Sequence, residues 1–234
     1  MKWILETKWL IAIFAILMLG QSMCVTVCAQ ERASRTEEIS WTWEVRPAHA
    51  DANLPNVLLL GDSITRNYYP EVKRQLAGAA NVYLLATSAS VGDPRLLREL
   101  ADYSIAEPAK FSVVHFNNGM HGWAYSEAEY RDAFPSFIAA VLALAPQAEL
   151  AWASTTPVQE NSETGPTNAR IDARNAIAQS LIKSNGLAFD DQHGLMAQHP
   201  DLYLDGVHYG DKGSDKQGKQ AAEAIRRLLS LPKR

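Results

Sequence analysis

Cysteine is nearly absent from the 234-residue chain. The only two, Cys24 and Cys28, lie near the N-terminus. No later residue can therefore form a disulfide, act as a thiolate nucleophile or build a cysteine-based metal site. A domain of this size buries enough surface to be stable without disulfides.

The chain also has no excess of positive charge. Its 22 Lys and Arg are outnumbered by 26 Asp and Glu, which gives a formal net charge of −4. Nucleic acid is therefore not an expected partner, because binding to phosphates needs clustered cations. The 47% hydrophobic and 21% charged residues suit one globular domain of ordinary composition. No internal repeat or low-complexity tract is present, and the oligomeric state stays open.

A hydrophobic run long enough to span a membrane is missing as well. The apolar stretch 10–19 follows Lys2 and Lys8 and is shorter than the roughly 20 residues that a membrane span needs. Small residues in Val27-Cys28-Ala29 fit the −3 and −1 positions of a cleavage site. We therefore predict a secretory signal peptide at 1–29 and a secreted or periplasmic protein.

Two alternatives to a cleaved signal peptide remain open. The first is an uncleaved membrane anchor. The second is a lipoprotein signal on Cys24 or Cys28, although neither cysteine follows a Leu-Ala-Gly-like triplet. Cleavage after Ala29 would remove both cysteines and leave no stable membrane insertion.

Strand-like and helix-like patterns alternate from residue 56 onward. Five apolar runs favour strands, at 57–60, 81–86, 111–116, 150–154 and 187–189. Helical patterns separate these runs, and Ser214 with Gln217 predicts a capping box at the last helix. We expect 192–209 to be mostly loop. The alternation predicts one α/β domain at 56–234, with a parallel sheet and helices on both faces.

The segment 30–55 is predicted to be largely irregular. Its alternating residues Trp41-Thr42-Trp43-Glu44-Val45 fit either an edge strand or a lid packed on the domain. A partly ordered leader is the other interpretation.

The most informative motif is Gly61-Asp62-Ser63-Ile64-Thr65, directly behind the aliphatic run 57–60. This pattern predicts a buried strand that enters a tight turn at the carboxyl-end rim of the sheet, where α/β proteins bind ligands. The motif alone is ambiguous, because Gly, Asp and Ser all favour ordinary turns.

Three further predicted loops at the same rim carry suggestive residues. They hold Gly92, the pair Asn117 and Asn118, and the run Asp205-Gly206-Val207-His208.

Serine hydrolysis needs a nucleophile, a base, an acid that orients the base and donors for the oxyanion. Ser63 can act as nucleophile, while Asp205 and His208 supply the orienting acid and the base from one turn. Backbone N–H groups and an Asn amide can supply the donors.

This set resembles the SGNH (GDSL-type) hydrolase family, whose signature blocks carry Ser, Gly, Asn and His in this order. The resemblance extends from about residue 56 to 231. One block departs from the usual Gly-x-Asn-Asp pattern and reads Phe116-Asn117-Asn118-Gly119-Met120-His121. It looks like the Phe-Asn-x-Gly-Leu-His form of some bacterial members, which aligns Asn117 with the oxyanion donor and leaves Asn118 as an alternative.

The resemblance implies a three-layer α/β/α sandwich with a flavodoxin-like parallel sheet of about five strands. It implies a triad of Ser63, Asp205 and His208, and an oxyanion hole made by Ser63, Gly92 and Asn117. We expect an esterase that needs no cofactor or metal and acts on short acyl esters, with O-acetyl groups on carbohydrates as the favoured substrates. A lipolytic esterase or thioesterase, and a non-catalytic carbohydrate-binding protein, are the alternatives.

Other candidate residues carry less weight. His115 and His121 are six residues apart, and so are His193 and His199, so neither pair has the i, i+4 spacing of a helical metal site. A flavodoxin-like nucleotide binder is disfavoured, because Asp62 would repel a phosphate. His121 and the nearby Trp123 are candidates for lining a substrate pocket.

Overall fold

The sheet is built around strand β2 (Asn56–Gly61), whose consecutive aliphatic side chains are buried on both faces. The computed structural model describes residues 33–159 and 165–230. The predicted signal peptide at 1–29, with both cysteines, lies outside these residues. Among the described residues, no helix combines the length and the apolar character needed to cross a membrane.

Six strands form one sheet in the order β1-β3-β2-β4-β5-β6. Besides β2, they are β1 (Thr42–Val45), β3 (Asn81–Thr87), β4 (Phe111–Phe116), β5 (Glu149–Ala153) and β6 (Ala188–Asp190). The last five strands in the chain are parallel, and β1 runs antiparallel to β3 at the edge. The parallel part has the strand order of flavodoxin-like folds, which confirms the predicted sheet.

Helices cover both faces of the sheet and complete the predicted three layers. They are α1 (Ser63–Gln75), α2 (Pro94–Ala106), α3 (Glu127–Leu144), α4 (Asn168–Ser184), α5 (Gln192–Ala197) and α6 (Asp211–Leu229). Side chains alternate along β2, so Leu58 and Leu60 pack with α2, α3 and α4 on one face. Val57 and Leu59 pack with α1 and α6 on the other face. The packing of α1 beside α6 matters for the site, because each helix directly follows one of the candidate catalytic turns.

The structure decides one open alternative and differs from two other sequence-based expectations. Within the segment 30–55, Thr42–Val45 forms the edge strand β1, which was one of the interpretations left open and gives the sheet its sixth strand. The expected loop 192–209 contains α5, which begins where the Asp191 side chain accepts the Gly194 N–H.

The predicted capping box at the start of the last helix is wrong. Helix α6 begins at Asp211, with Gly210 as its N-cap and no side-chain cap, so Ser214 lies inside the first turns. The Ser214 hydroxyl instead donates to the backbone carbonyl of Tyr209. The acidic Asp211 at the first position complements the positive end of the helix dipole.

Candidate active site

Ser63 is the first residue of α1 and lies immediately beyond the carboxyl end of β2. Asp62 has an extended backbone and caps the helix, because its Oδ1 atom accepts the Ile64 N–H at 2.9 Å. Gly61 is needed for this sharp turn, since a Cβ atom there would collide with the side chain of Thr65. The strand and the cap therefore fix Ser63 at the positive end of a helix dipole, which favours negative charge nearby.

Ser63, His208 and Asp205 form a continuous chain of hydrogen bonds. The Oγ atom of Ser63 lies 2.7 Å from Nε2 of His208, and Nδ1 of His208 lies 2.9 Å from Oδ2 of Asp205. The carboxylate can only accept from Nδ1, so Nδ1 carries a proton and Nε2 is left to accept the Ser63 hydroxyl proton. This arrangement can raise the nucleophilicity of Ser63.

Each oxygen of the Asp205 carboxylate has a separate task. Oδ1 accepts the backbone N–H groups of Val207 and His208, each at 2.7 Å, and so shapes the turn, whereas Oδ2 holds the imidazole. Burial raises the pKa of Asp205, but the hydrogen bonds from His208 and Val207 outweigh it and hold the pKa below its usual value. Asp205 is therefore a carboxylate at neutral pH, as its orienting task requires.

Gly92 lies in the loop after β3 and has a positive φ of 101°. A side chain would be strained in this conformation, and its Cβ atom would lie 3.1 Å from the ring of Tyr125. The Asn118 amide clamps this loop, because it accepts the Val91 N–H at 2.7 Å and donates to the Ala89 carbonyl at 2.8 Å. The backbone N–H groups of Ser63 and Gly92 have no partner within residues 33–159 and 165–230, so both are free to donate.

Asn117 is committed to the end of β5. Its Nδ2 atom donates to the Ala153 carbonyl at 2.6 Å and to the Thr155 hydroxyl at 3.1 Å, which uses both amide hydrogens. In this arrangement Asn117 has no free N–H for an oxyanion, whereas Asn118 uses only one of its two within residues 33–159 and 165–230. The oxyanion role of Asn117 stays a prediction, and Asn118 stays its alternative.

Beside this chain of hydrogen bonds lies a pocket of about 600 Å³. Ser63 and His208 line it together with Met120, His121 and Trp123. Asn117 instead lines a second, much smaller cavity with room for about one water molecule, beside Asp62. The large pocket is far roomier than an acetyl group requires, so it can hold the body of a substrate.

Comparison with known structures identifies the fold. Neither a protein-family model nor a curated protein sequence matches the chain significantly. Solved structures do match over most of the chain. One is a protein from Slackia heliotrinireducens assigned to the SGNH hydrolases, with a TM-score of 0.58 at 22% identity, covering 74% of this chain and all of that one. The fold is the SGNH hydrolase fold.

Two further structures with this fold are enzymes that act on acyl esters or transfer acyl groups, according to their names. A carbohydrate esterase of family 3 from Talaromyces cellulolyticus matches with a TM-score of 0.57 at 16% identity, over 76% of this chain and 100% of that one. The C-terminal catalytic domain of a peptidoglycan O-acetyltransferase from Streptococcus pneumoniae, with a methylsulfonyl adduct, matches with a TM-score of 0.58 at 17% identity, over 76% of this chain and 97% of that one. At these identities the likeness establishes the fold alone.

Within this SGNH fold, a buried arginine organises the loop that carries His121 and Trp123. Arg174 on α4 is 1% exposed and donates to the carbonyls of His121, Gly122 and Tyr125 at 2.9–3.0 Å. Its guanidinium also lies 4.1 Å from the centre of the Trp123 ring, a cation–π contact. Sequence reasoning missed Arg174, because nothing local distinguishes it from a solvated arginine on a helix.

Sequence reasoning also missed Glu37. Its carboxylate binds His121 at 2.8 Å across 84 residues of sequence, and Glu37 lines the same pocket as Ser63. No motif marks this residue, because the contact joins two parts of the chain that are far apart in sequence.

Two of the other histidines, His115 and His193, contact carboxylates away from the large pocket. His115 is fully buried, and its Nε2 atom lies 2.8 Å from Oδ2 of Asp190. His193 lies 3.3 Å from Asp172 near the surface. Within the described part of the chain, no group of three or more His, Cys, Asp or Glu side chains is arranged to hold a metal ion.

Proposed function

We propose that the protein is a serine esterase that hydrolyses short acyl esters, with O-acetyl groups on carbohydrates as its expected substrates. The observation that carries the proposal is the hydrogen-bond chain from Ser63 Oγ through His208 to Asp205, at 2.7 and 2.9 Å, at the mouth of a substrate-sized pocket. These are the distances that general-base activation of a nucleophile requires.

Acylation begins when Ser63 attacks the ester carbonyl carbon. His208 Nε2 takes the hydroxyl proton as the Oγ–carbon bond forms, and the carbonyl oxygen becomes an oxyanion. The carbon–oxygen bond to the alcohol then breaks, and His208 returns its proton to the departing alkoxide oxygen. The product of this half-reaction is an acyl ester on Ser63.

Deacylation repeats the same steps with water. His208 removes a proton from a water molecule that attacks the acyl carbon, and then protonates Ser63 Oγ as the acid leaves. In both tetrahedral intermediates, the free N–H groups of Ser63 and Gly92 stabilise the oxyanion, together with an amide from Asn117 or Asn118. The positive end of α1 adds to this stabilisation.

Asp205 orients the imidazole and stabilises its protonated form. Its bond to Nδ1 holds the tautomer in which Nε2 faces Ser63. The depressed pKa of Asp205 keeps it negatively charged while His208 carries the transferred proton.

Several observations support a carbohydrate ester as the substrate. The pocket is much larger than an acetyl group, so a short acyl ester would fill it mainly with its alcohol portion. Trp123 offers an aromatic surface in this pocket. Proteins with the same fold include a carbohydrate esterase and a peptidoglycan O-acetyltransferase. The predicted signal peptide would bring the enzyme to extracellular polysaccharides. Measuring the mass of the exported protein tests whether the chain is cleaved after Ala29.

Hydrolysis of an activated acetate ester by the wild type, Ser63→Ala and His208→Ala tests the reaction. Both substitutions are expected to lower kcat/KM by about 10³-fold or more. Variants that retain most of the activity would exclude the mechanism.

For the substrate, acetate release from acetylated sugars is compared with release of longer acyl chains from the same alcohols. A preference for chains of about eight carbons or more would favour the lipolytic alternative, because such chains need an acyl channel.

A further inference from the structure

The N-terminal segment 34–41 is bound across the rim that carries the candidate site. Ser34 Oγ donates to the carboxylate of Asp93 at 2.8 Å, in the turn just after Gly92. The backbone N–H of Trp41 donates to Ser88 Oγ at 2.9 Å. The segment is thus attached at both ends to the loop between β3 and α2.

Arg35 attaches the same segment to the start of α3. Its backbone N–H donates to the Tyr125 hydroxyl at 2.9 Å, and its guanidinium donates to the Ala124 carbonyl at 2.9 Å. A salt bridge of 2.8 Å joins it to Glu129. Hydrogen bonds from Ser126 and from Arg35 lower the pKa of Glu129 to about 2, so this partner stays charged.

Glu37 is the centre of the attachment. Its Oε2 atom accepts from Nδ1 of His121 at 2.8 Å, and its Oε1 atom accepts the Gly122 N–H at 3.1 Å. Burial raises the pKa of Glu37, but the bonds from His121 and Gly122 outweigh it and lower the pKa overall. Burial lowers the pKa of His121, and the bond to Glu37 with the negative charges of Asp62 and Glu37 raises it overall. Both shifts favour a carboxylate paired with an imidazolium.

The attached segment forms one wall of the pocket. Arg35, Thr36, Glu37 and Glu38 line the pocket together with Ser63 and His208. These side chains are polar, whereas Met120, Trp123 and Val207 elsewhere in the lining are apolar or aromatic. A wall rich in charged and hydroxyl groups suits an alcohol portion that carries several oxygen atoms.

We propose that segment 34–41 selects the alcohol portion of the substrate, favouring alcohols with many oxygen atoms such as sugar rings, and that Glu37 locks it in place. Glu37 is a positioning residue that acts through His121 and Gly122. The proposal rests on the proposed esterase function and adds the part of the chain that determines specificity.

The test uses two acetate esters with the same acyl group, an acetylated sugar and a small activated acetate. The kcat/KM for the acetylated sugar is divided by the kcat/KM for the small activated acetate. This ratio is measured for the wild type, Glu37→Gln and His121→Phe. Both rates come from one preparation, so the fraction of folded enzyme cancels in the ratio. The ratio is expected to fall about 10-fold or more in each variant, the usual worth of a hydrogen bond to a charged group. A ratio within about twofold of the wild type in Glu37→Gln would overturn the proposal.

Two controls separate specificity from general damage. Asp172→Asn removes a carboxylate that lies 3.3 Å from His193, outside the pocket, and is expected to leave the ratio unchanged. In the double variant of Glu37 and His121, the two losses are expected not to add, because both remove the same contact. Additive losses would contradict a shared mechanism.

Hydrogen exchange tests, without catalysis, whether Glu37 holds segment 34–41 in position. Glu37→Gln is expected to speed exchange at Gly122 and across segment 34–41. Unchanged exchange would show that Glu37 does not hold the segment. A wild-type protein that hydrolyses no acetate ester would contradict the proposed function itself, and with it this inference. That outcome is recognised from the wild type alone, before any variant is compared.

Discussion

The Nε2 atom of His208 lies 2.7 Å from the Oγ atom of Ser63, although 145 residues separate them in sequence. Ser63 begins α1, and the turn with His208 is followed within three residues by α6. The distance between the two side chains therefore depends on how closely these helices pack. Gly218 on α6 sets that packing, because a Cβ atom there would lie 2.6 Å from Glu71 Cβ and 2.9 Å from the Tyr68 carbonyl.

Gly218→Val is expected to push α6 away from α1 and to lower both stability and activity. Overpacking of this kind costs about 1–3 kcal/mol, which corresponds to several degrees in Tm for a chain of this size. Gly206→Ala is the control, since a Cβ atom at Gly206 meets nothing within 4 Å. Thermal unfolding of both variants measures the effect, and equal Tm values would contradict the close packing of α6 on α1.

Asp205→Asn is expected to lower kcat by about 10²- to 10⁴-fold while Tm changes little. An asparagine oxygen can still accept the N–H groups of Val207 and His208, so the turn persists. The amide no longer fixes the correct tautomer of His208 or stabilises its charged form. Steady-state kinetics with Tm as the companion measurement test this, and a kcat within about tenfold of the wild type would remove Asp205 from the mechanism.

Substitutions at the two neighbouring asparagines are expected to have different effects. Asn118→Ala removes the clamp on the loop that holds Gly92 and an amide with a free N–H, so kcat is expected to fall about 10²-fold or more. Asn117→Ala removes two buried hydrogen bonds to Ala153 and Thr155, and its larger effect is expected on Tm. The reverse pattern, with kcat falling mainly in Asn117→Ala, would make Asn117 the oxyanion donor, as the sequence resemblance implies.

The buried pair of His115 and Asp190 predicts a loss of stability in acid. Burial raises the pKa of Asp190, but hydrogen bonds from His115, Gln192 and Gln220 outweigh it and hold the pKa below its usual value. A carboxyl group whose pKa is lowered by folding stabilises the protein above its unfolded pKa of about 3.9, and that contribution disappears as the pH falls through the folded pKa.

The wild type is therefore expected to exceed Asp190→Asn in Tm by a constant margin above about pH 5, and by a shrinking margin below about pH 4. Asp102→Asn, on the exposed face of α2, controls for the loss of one carboxylate. Thermal unfolding between pH 3 and 7 measures the Tm of each protein. A margin between wild type and Asp190→Asn that grows in acid would contradict a stabilising carboxylate at Asp190.

Local sequence patterns predict much of the fold and the turns that carry the triad. The aliphatic run 57–60 could be recognised as a strand because both its faces are buried, and its junction with Gly61-Asp62-Ser63 follows from turn chemistry. The spacing of Asp205 and His208 places both side chains on one turn, so their contact is also local.

Features that depend on contacts distant in sequence could not be predicted. The amide of Asn117 is occupied by Ala153 and Thr155, residues at the end of another strand. The bond from Glu37 to His121 spans 84 residues and carries no motif. The predicted capping box is wrong because Ser214 and Gln217 fit it by spacing alone. The helix already begins at Asp211, after the N-cap residue Gly210.

Covalent labelling tests the central claim most directly, that His208 activates Ser63 as a nucleophile. The protein is incubated with a serine-directed sulfonyl fluoride, and the adduct is located and timed by peptide mass spectrometry. One sulfonyl group is expected on Ser63, with labelling slower by about 10²-fold or more in His208→Ala, because the hydroxyl then lacks its base. An unlabelled Ser63 in the wild type, or equal labelling rates with and without His208, would contradict the account.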